Sequence, residues 1–152
     1  MKKFKIIFFI TAIFLNGCGY TPIYVQNDDF NFSIKLSEVK GDTLINKFIS
    51  SNLKQYQLSK NEKEYFLSIN SKYSKEAVSK DLTGKVKEYK LIAYAEFLIL
   101  SGENEKRVVL KETSLMKTLD DMIDEKSQER NLIQSLASVI TEKLILELTN
   151  IK

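Results

Sequence analysis

Between Tyr89 and Ile99 the chain alternates with a two-residue period. Tyr89, Leu91, Ala93, Ala95, Phe97 and Ile99 fall on one side, and Glu88, Lys90, Ile92, Tyr94 and Glu96 on the other. A strand with one buried face requires this spacing, and the rest of the chain must then supply a layer that covers the apolar row. Two further segments repeat the pattern. From Phe30 to Val39, residues Phe30, Phe32, Ile34 and Leu36 oppose Asn31, Ser33, Lys35 and Ser37; later Tyr65, Leu67, Ile69, Tyr73 and Ala77 line up at odd numbers. Arg107 to Thr118 reads as a fourth strand with weaker alternation, because Val108, Val109 and Leu110 are consecutive.

The covering layer is written in a different period. After Gly41, Asp42 is a good N-cap, and Leu44, Ile45, Phe48, Ile49, Leu53 and Tyr56 form one stripe of a helix from roughly Asp42 to Gln57. A second, longer helix runs from about Asp124 or Ser127 to Leu148, with Leu132, Ile133, Leu136, Ala137, Ile140, Leu144 and Leu148 as its buried stripe. Ser59 to Lys63 reads as a polar turn, and Lys80 to Gly84 and Ser101 to Glu105 as hairpin turns. The order strand, helix, three strands, helix gives an α+β fold with two helices packed on one face of a four-stranded mixed sheet (β-α-β-β-β-α). The helical crossover permits a parallel first pair, and the hairpins demand antiparallel ones. Leu91, Phe97, Ile133, Leu136 and Ile140 are expected to share one core.

The N-terminus carries a different message. Lys2, Lys3 and Lys5 precede an apolar run from Ile6 to Leu15, followed by Asn16-Gly17-Cys18. This is the pattern of a secretory signal. As a helix the run would span ~15 Å, half of a hydrocarbon core, too short to serve as a transmembrane helix. Leu15-Asn16-Gly17-Cys18 resembles the bacterial lipobox. That resemblance implies cleavage before Cys18, a covalent acyl and diacylglycerol lipid on its thiol and new amine, and a chain anchored to a membrane without spanning it. Gly19 follows Cys18 where an inner-membrane retention signal would place Asp, which points to the outer membrane. The expected organisation is a signal peptide over 1–17, a lipidated tether over 18–29 and a single domain over 30–152.

Composition then excludes several functions. The sequence has 23 basic and 20 acidic residues, and the leader's three lysines account for the whole excess. A nucleic-acid binder would keep a basic footprint after maturation, so no nucleic-acid partner is expected. Histidine is absent and Cys18 is the only cysteine, so Ser-His-Asp triads, thiolate catalysis beyond the anchor and Cys/His zinc sites have no residues to build on. No glycine-rich phosphate loop occurs among the five glycines. Asp120-Asp121 is the nearest approach to a carboxylate pair for hydrolysis, and its plainer reading is a solvated turn or helix start. No catalytic residue, metal site or cofactor other than the covalent lipid is expected.

Three segments carry a family resemblance. The stretch Cys18-Gly19-Tyr20-Thr21-Pro22-Ile23-Tyr24 resembles the mature start of LptE, the lipopolysaccharide-assembly outer-membrane lipoprotein family. Asp81 to Leu91, with its Glu88-Tyr89-Lys90-Leu91 run, is similar to that family's central strand pair, and Leu132 to Ile140 to its final helix. Where the family often carries Arg-x-Tyr near the end of the fourth strand, this chain has Met116-Lys117-Thr118-Leu119. The resemblance implies a non-enzymatic role: plugging and supporting assembly of an LptD-like outer-membrane β-barrel, and helping to deliver lipopolysaccharide to the outer leaflet. Lys85, Lys87, Lys106 and Arg107 are the candidate contacts for glycolipid phosphate or barrel wall, since phosphates favour Lys and Arg donors. The alternative is an auxiliary lipoprotein of a lipid-transport ABC system, and a more distant one is an envelope hydrolase using carboxylates.

Overall fold

The computed structural model describes residues 32–57 and 63–151; the signal peptide, Cys18, the tether, Phe30 and most of the Ser59–Lys63 turn lie outside them. Strand β1 (Phe32–Gly41) leads into helix α1 (Thr43–Gln57); then come β2 (Lys63–Lys80), β3 (Val86–Ser101), β4 (Asn104–Lys117) and helix α2 (Met122–Thr149). The sheet order is β1-β2-β3-β4. β1 runs parallel to β2, as the helical crossover permits, and the β2–β3 and β3–β4 pairs are antiparallel, as the hairpins demand.

The turn from β1 into α1 fixes how the first helix meets the sheet. Gly41 has φ +97, and a Cβ there would lie 1.9 Å from the Ser71 carbonyl oxygen on β2, so only glycine fits. The Asp42 amide donates to that same carbonyl at 3.1 Å. The Asp42 carboxylate caps α1, with its Oδ1 accepting from the amides of Leu44 at 3.0 Å and Ile45 at 2.9 Å. Ile45, Ile49 and Leu53 then point into the core.

Helix α2 starts at Met122, before the Asp124 or Ser127 anticipated. The Asp121 carboxylate caps it by accepting from Ile123 N and Asp124 N. Met122 and Ile123 are exposed, so no apolar periodicity marks this first turn in the sequence. Asp121 is thus a helix cap, the plainer of the two readings of the acidic pair. Ile133, Leu136, Ala137, Ile140, Leu144 and Leu148 are buried as expected, joined by Thr141 and Ile145.

One core forms between the sheet and both helices. Leu91, Ala93, Ala95 and Phe97 of β3 are fully buried in it, beside Tyr65, Leu67 and Ile69 of β2 and the α2 stripe. β4 shows why its alternation reads weakly. Val108 and Leu110 sit in the helix-facing row and Val109 faces out, but that row also holds Lys106 and Glu112. Both charges are matched by α2: Lys106 Nζ lies 2.9 Å from Glu147 Oε2, and Lys143 pairs with Glu112. The other face of the sheet has no covering element among the described residues. Ile92 and Tyr94 on it are half-buried, while Phe66, Leu100, Val109 and Leu115 are exposed.

Candidate functional site: the hairpin end

The β2–β3 hairpin and the β4–α2 connection meet at the end of the sheet away from the start of β1. The hairpin turn is built by Asp81. Its Oδ1 accepts from Thr83 N at 2.9 Å, Thr83 Oγ1 at 2.6 Å and Lys85 N at 3.0 Å. These bonds, the Thr83 hydroxyl foremost, hold its carboxyl below the usual carboxylate range. Gly84 supplies the positive φ of +85 that the turn needs. Leu82 projects from the tip, fully exposed.

This turn sets Lys85 and Lys87 at the mouth of a shallow recess of about 440 Å³. The recess is lined also by Lys117, Thr118, Glu88 and Asp120. Lys87 Nζ is 3.5 Å from Asp81 Oδ2, while Lys85 has no ion-pair partner among the described residues. Lysines lining one opening can donate hydrogen bonds to a phosphate or carboxylate entering from solvent. Lys117 was not a candidate contact on sequence alone. Carrying the β3–β4 register back from the Ser101–Asn104 turn pairs it with Glu88, next to Lys87. That register count was the available signal.

Lys106 and Arg107 are elsewhere. They begin β4 opposite Ile99 and Leu98, about 40 Å along β3 from Lys87 at ~3.4 Å per residue. Lys106 is engaged by Glu147 on the helix side. Arg107 lies on the open face with its guanidinium 3.0 Å from Glu96 Oε1. The four basic candidates therefore form two pairs at opposite ends of β3: Lys106 and Arg107, both ion-paired, and Lys85 and Lys87 at the hairpin, of which Lys87 keeps a longer contact to Asp81. Cys18 lies outside the described residues.

Behind the recess, a polar clamp fastens the first half of α2 to the sheet. Tyr73 donates its hydroxyl to Glu129 Oε1 at 2.6 Å, and Lys75 donates to Glu129 Oε2 at 2.8 Å. Lys75 also lies 4.2 Å from the Tyr89 ring centroid, a cation–π contact, and 3.5 Å from Glu125. Burial pushes the Tyr73 phenol up, with the Glu129 carboxylate adding to it. For Glu129, burial opposes ionisation, but the bonds from Lys75 and Tyr73 win and lower its pKa. For Lys75, burial opposes the charge and the two carboxylates outweigh it, so its pKa is raised.

A second recess of about 670 Å³ lies between the helices, lined by Ser51, Asn52, Tyr56, Ser138, Thr141 and Glu142 among others. Asn52 bridges it, donating to Ser138 Oγ at 3.2 Å. Among the described residues no three His, Cys, Asp or Glu side chains converge as a metal site would need, and no helix is long and apolar enough to cross a membrane.

No protein-family profile and no curated protein matches the chain. Solved structures do. The rare lipoprotein B of Shewanella oneidensis superimposes with a TM-score of 0.57 at 12% identity, covering 76% of this chain and 94% of that one. A Caulobacter crescentus chain described as a lipoprotein gives 0.51 at 15% identity, covering 81% and 90%. At these identities the likeness establishes a shared fold: a four-stranded sheet with two helices, spanning nearly the whole of both lipoproteins.

Proposed function

We propose that this chain is an outer-membrane lipoprotein of the LptE type, held by an acylated Cys18. In this reading it sits with an LptD-like barrel, supports the barrel's assembly and helps pass lipopolysaccharide to the outer leaflet. The observation that carries the reading is the β-α-β-β-β-α frame, shared with two lipoproteins, on a chain that also bears a lipobox-like cysteine. The surface chemistry is compatible. The domain surface is rich in charges of both signs, some paired as in Lys106–Glu147, Arg107–Glu96 and Lys143–Glu112, and such a surface suits the polar interior of a large barrel. Lys85, Lys87 and Lys117 at the hairpin recess are the stronger candidates for lipopolysaccharide phosphate, because Lys85 and Lys117 have no ion-pair partner among the described residues and Lys87 only the 3.5 Å contact to Asp81, against 2.9 and 3.0 Å for Lys106 and Arg107. Their test is direct: changing Lys85, Lys87 and Lys117 together to Gln should weaken lipopolysaccharide binding more than changing Lys106 and Arg107.

Depletion of the protein tests the role. The expected result is less correctly assembled barrel and less lipopolysaccharide at the cell surface; unchanged levels of both would remove this reading. Mass spectrometry of the mature N-terminus tests the anchor, with a lipidated Cys18 expected and an unmodified one contradicting it.

A further inference from the structure

The two edges of the sheet are not equally closed. β1 is short, is bent by a bulge between Leu36 and Glu38, and ties its charges locally through Lys35–Glu64 and Lys40–Glu38 ion pairs. A bulge and charged residues are common ways to blunt an edge. β4 is fourteen residues long, contains neither proline nor glycine, and keeps unbroken register with β3 from Ser101–Asn104 to Glu88–Lys117.

The direction of its free backbone groups follows from one bond. The Thr118 amide donates to the Lys87 carbonyl opposite it, so even-numbered β4 residues turn both backbone groups toward β3. The odd-numbered residues from Arg107 to Lys117 then turn their N–H and C=O groups outward, where no described residue meets them. The same residues carry the open-face side chains Arg107, Val109, Lys111, Thr113, Leu115 and Lys117. Three of these are cations and none is an acid. Arg107 is satisfied by Glu96, but Lys111 faces Tyr94, and beyond it Lys72, with no carboxylate in the row. Val109 and Leu115 between them are more than half exposed.

We propose that β4 accepts a fifth, antiparallel strand from a partner polypeptide whose open-face row carries both acidic and apolar residues, spaced to match the cations and apolar side chains of β4. The main-chain ladder would supply the docking, and acids opposite Lys111 and Lys117 with apolar groups near Val109 and Leu115 would supply the selection. Cations along the row disfavour a second copy of β4 in this place, since like charges directly opposite destabilise a pair. This inference goes beyond the lipoprotein reading and does not depend on it.

A capped peptide whose every second residue faces the β4 row, with glutamates set opposite Lys111 and Lys117, valines opposite Val109 and Leu115 and threonines elsewhere, titrated against the full-length chain in detergent, tests it. Saturable binding is expected, with slowed amide exchange at Val109, Lys111, Thr113 and Leu115 and little change in β1. Thr113→Pro removes one outward donor and leaves the β3 ladder intact, so it should abolish binding while the thermal transition stays near the parent's. If that variant fails to fold, Lys111→Glu decides instead: it should weaken the glutamate peptide about threefold and strengthen the same peptide with lysine in place of the glutamate that faces position 111. No saturable binding by about 1 mM peptide, or protection that appears away from β4, overturns the proposal. So does self-association of the chain through β4 in the absence of peptide.

Discussion

The two ends of the sheet are held to the helices by different forces. Where β1 begins, Phe32 stacks on Tyr56 at 6.1 Å and meets Tyr65 edge-on at 5.5 Å between ring centroids. Tyr65 is fully buried and donates its hydroxyl to the Leu148 carbonyl near the end of α2 at 3.2 Å. That end is aromatic and aliphatic, with its few polar atoms used to terminate the helix. At the hairpin end the first turns of α2 bury no aliphatic side chain before Ile133. They are fastened by Glu125 and Glu129 to Tyr73 and Lys75. One helix is therefore bonded to one sheet by packing at its C-terminal half and by charge at its N-terminal half. The C-terminal half adds only the partly exposed Lys106–Glu147 and Lys143–Glu112 pairs to its packing, so pH and salt are expected to act mainly on the clamped half, which lies beside the recess that carries Lys85, Lys87 and Lys117.

The largest expected effect is in the packed half. Phe97→Ala should destabilise the domain by about 3–5 kcal/mol and Leu136→Ala by about 2–5 kcal/mol in denaturant melts. A loss below about 0.5 kcal/mol, the range of ordinary surface changes, would show that this half is not the seat of stability. Glu129→Gln should cost less, about 1–3 kcal/mol, because it leaves Lys75 and Tyr73 partly buried with a weaker partner. Hydrogen exchange should then rise in the first turns of α2 before it rises at Ile140. Uniform exchange along α2 would mean that the two halves open as one.

The clamp also sets a pH window. Glu129 is depressed in the folded state, so its contribution is complete above its unfolded pKa of about 4.3 and fades as pH falls through its lower folded value. Lys75 is raised, so its contribution is complete below about 10.4 and fades as pH rises through its folded value. Stability should therefore sag on the acid side, and Glu129→Gln should reduce that sag; an unchanged acid limb would mean that other carboxylates dominate it. The smallest effect is expected at the recess, where Lys85→Gln with Lys87→Gln should shift stability by less than about 0.5 kcal/mol. Wild-type binding of lipopolysaccharide should fall with added salt.

Much of this frame was legible in the sequence because side-chain period is a local property. The row Leu91 to Ile99 and the stripe Ile133 to Leu148 were readable without knowing what they pack against. What escaped was set by partners distant in sequence. Lys106 and Glu112 blur the β4 alternation because Glu147 and Lys143 on α2 allow charges into an inward-facing row. Ser71 is a buried polar residue within an otherwise apolar row because its hydroxyl donates to the Asp42 carbonyl, 29 residues earlier. The same holds for the basic candidates. The sequence named Lys85, Lys87, Lys106 and Arg107, but only the strand register separates them into a pair at the hairpin and a pair at the start of β4, and adds Lys117 to the first.

Affinity purification of the full-length chain from solubilised outer membranes tests the functional reading most directly. The account predicts recovery of an LptD-like barrel with the wild-type chain, and its loss from the membrane fraction with Cys18→Ser. Recovery of inner-membrane transporter subunits in place of a barrel would contradict it and favour the ABC-system alternative.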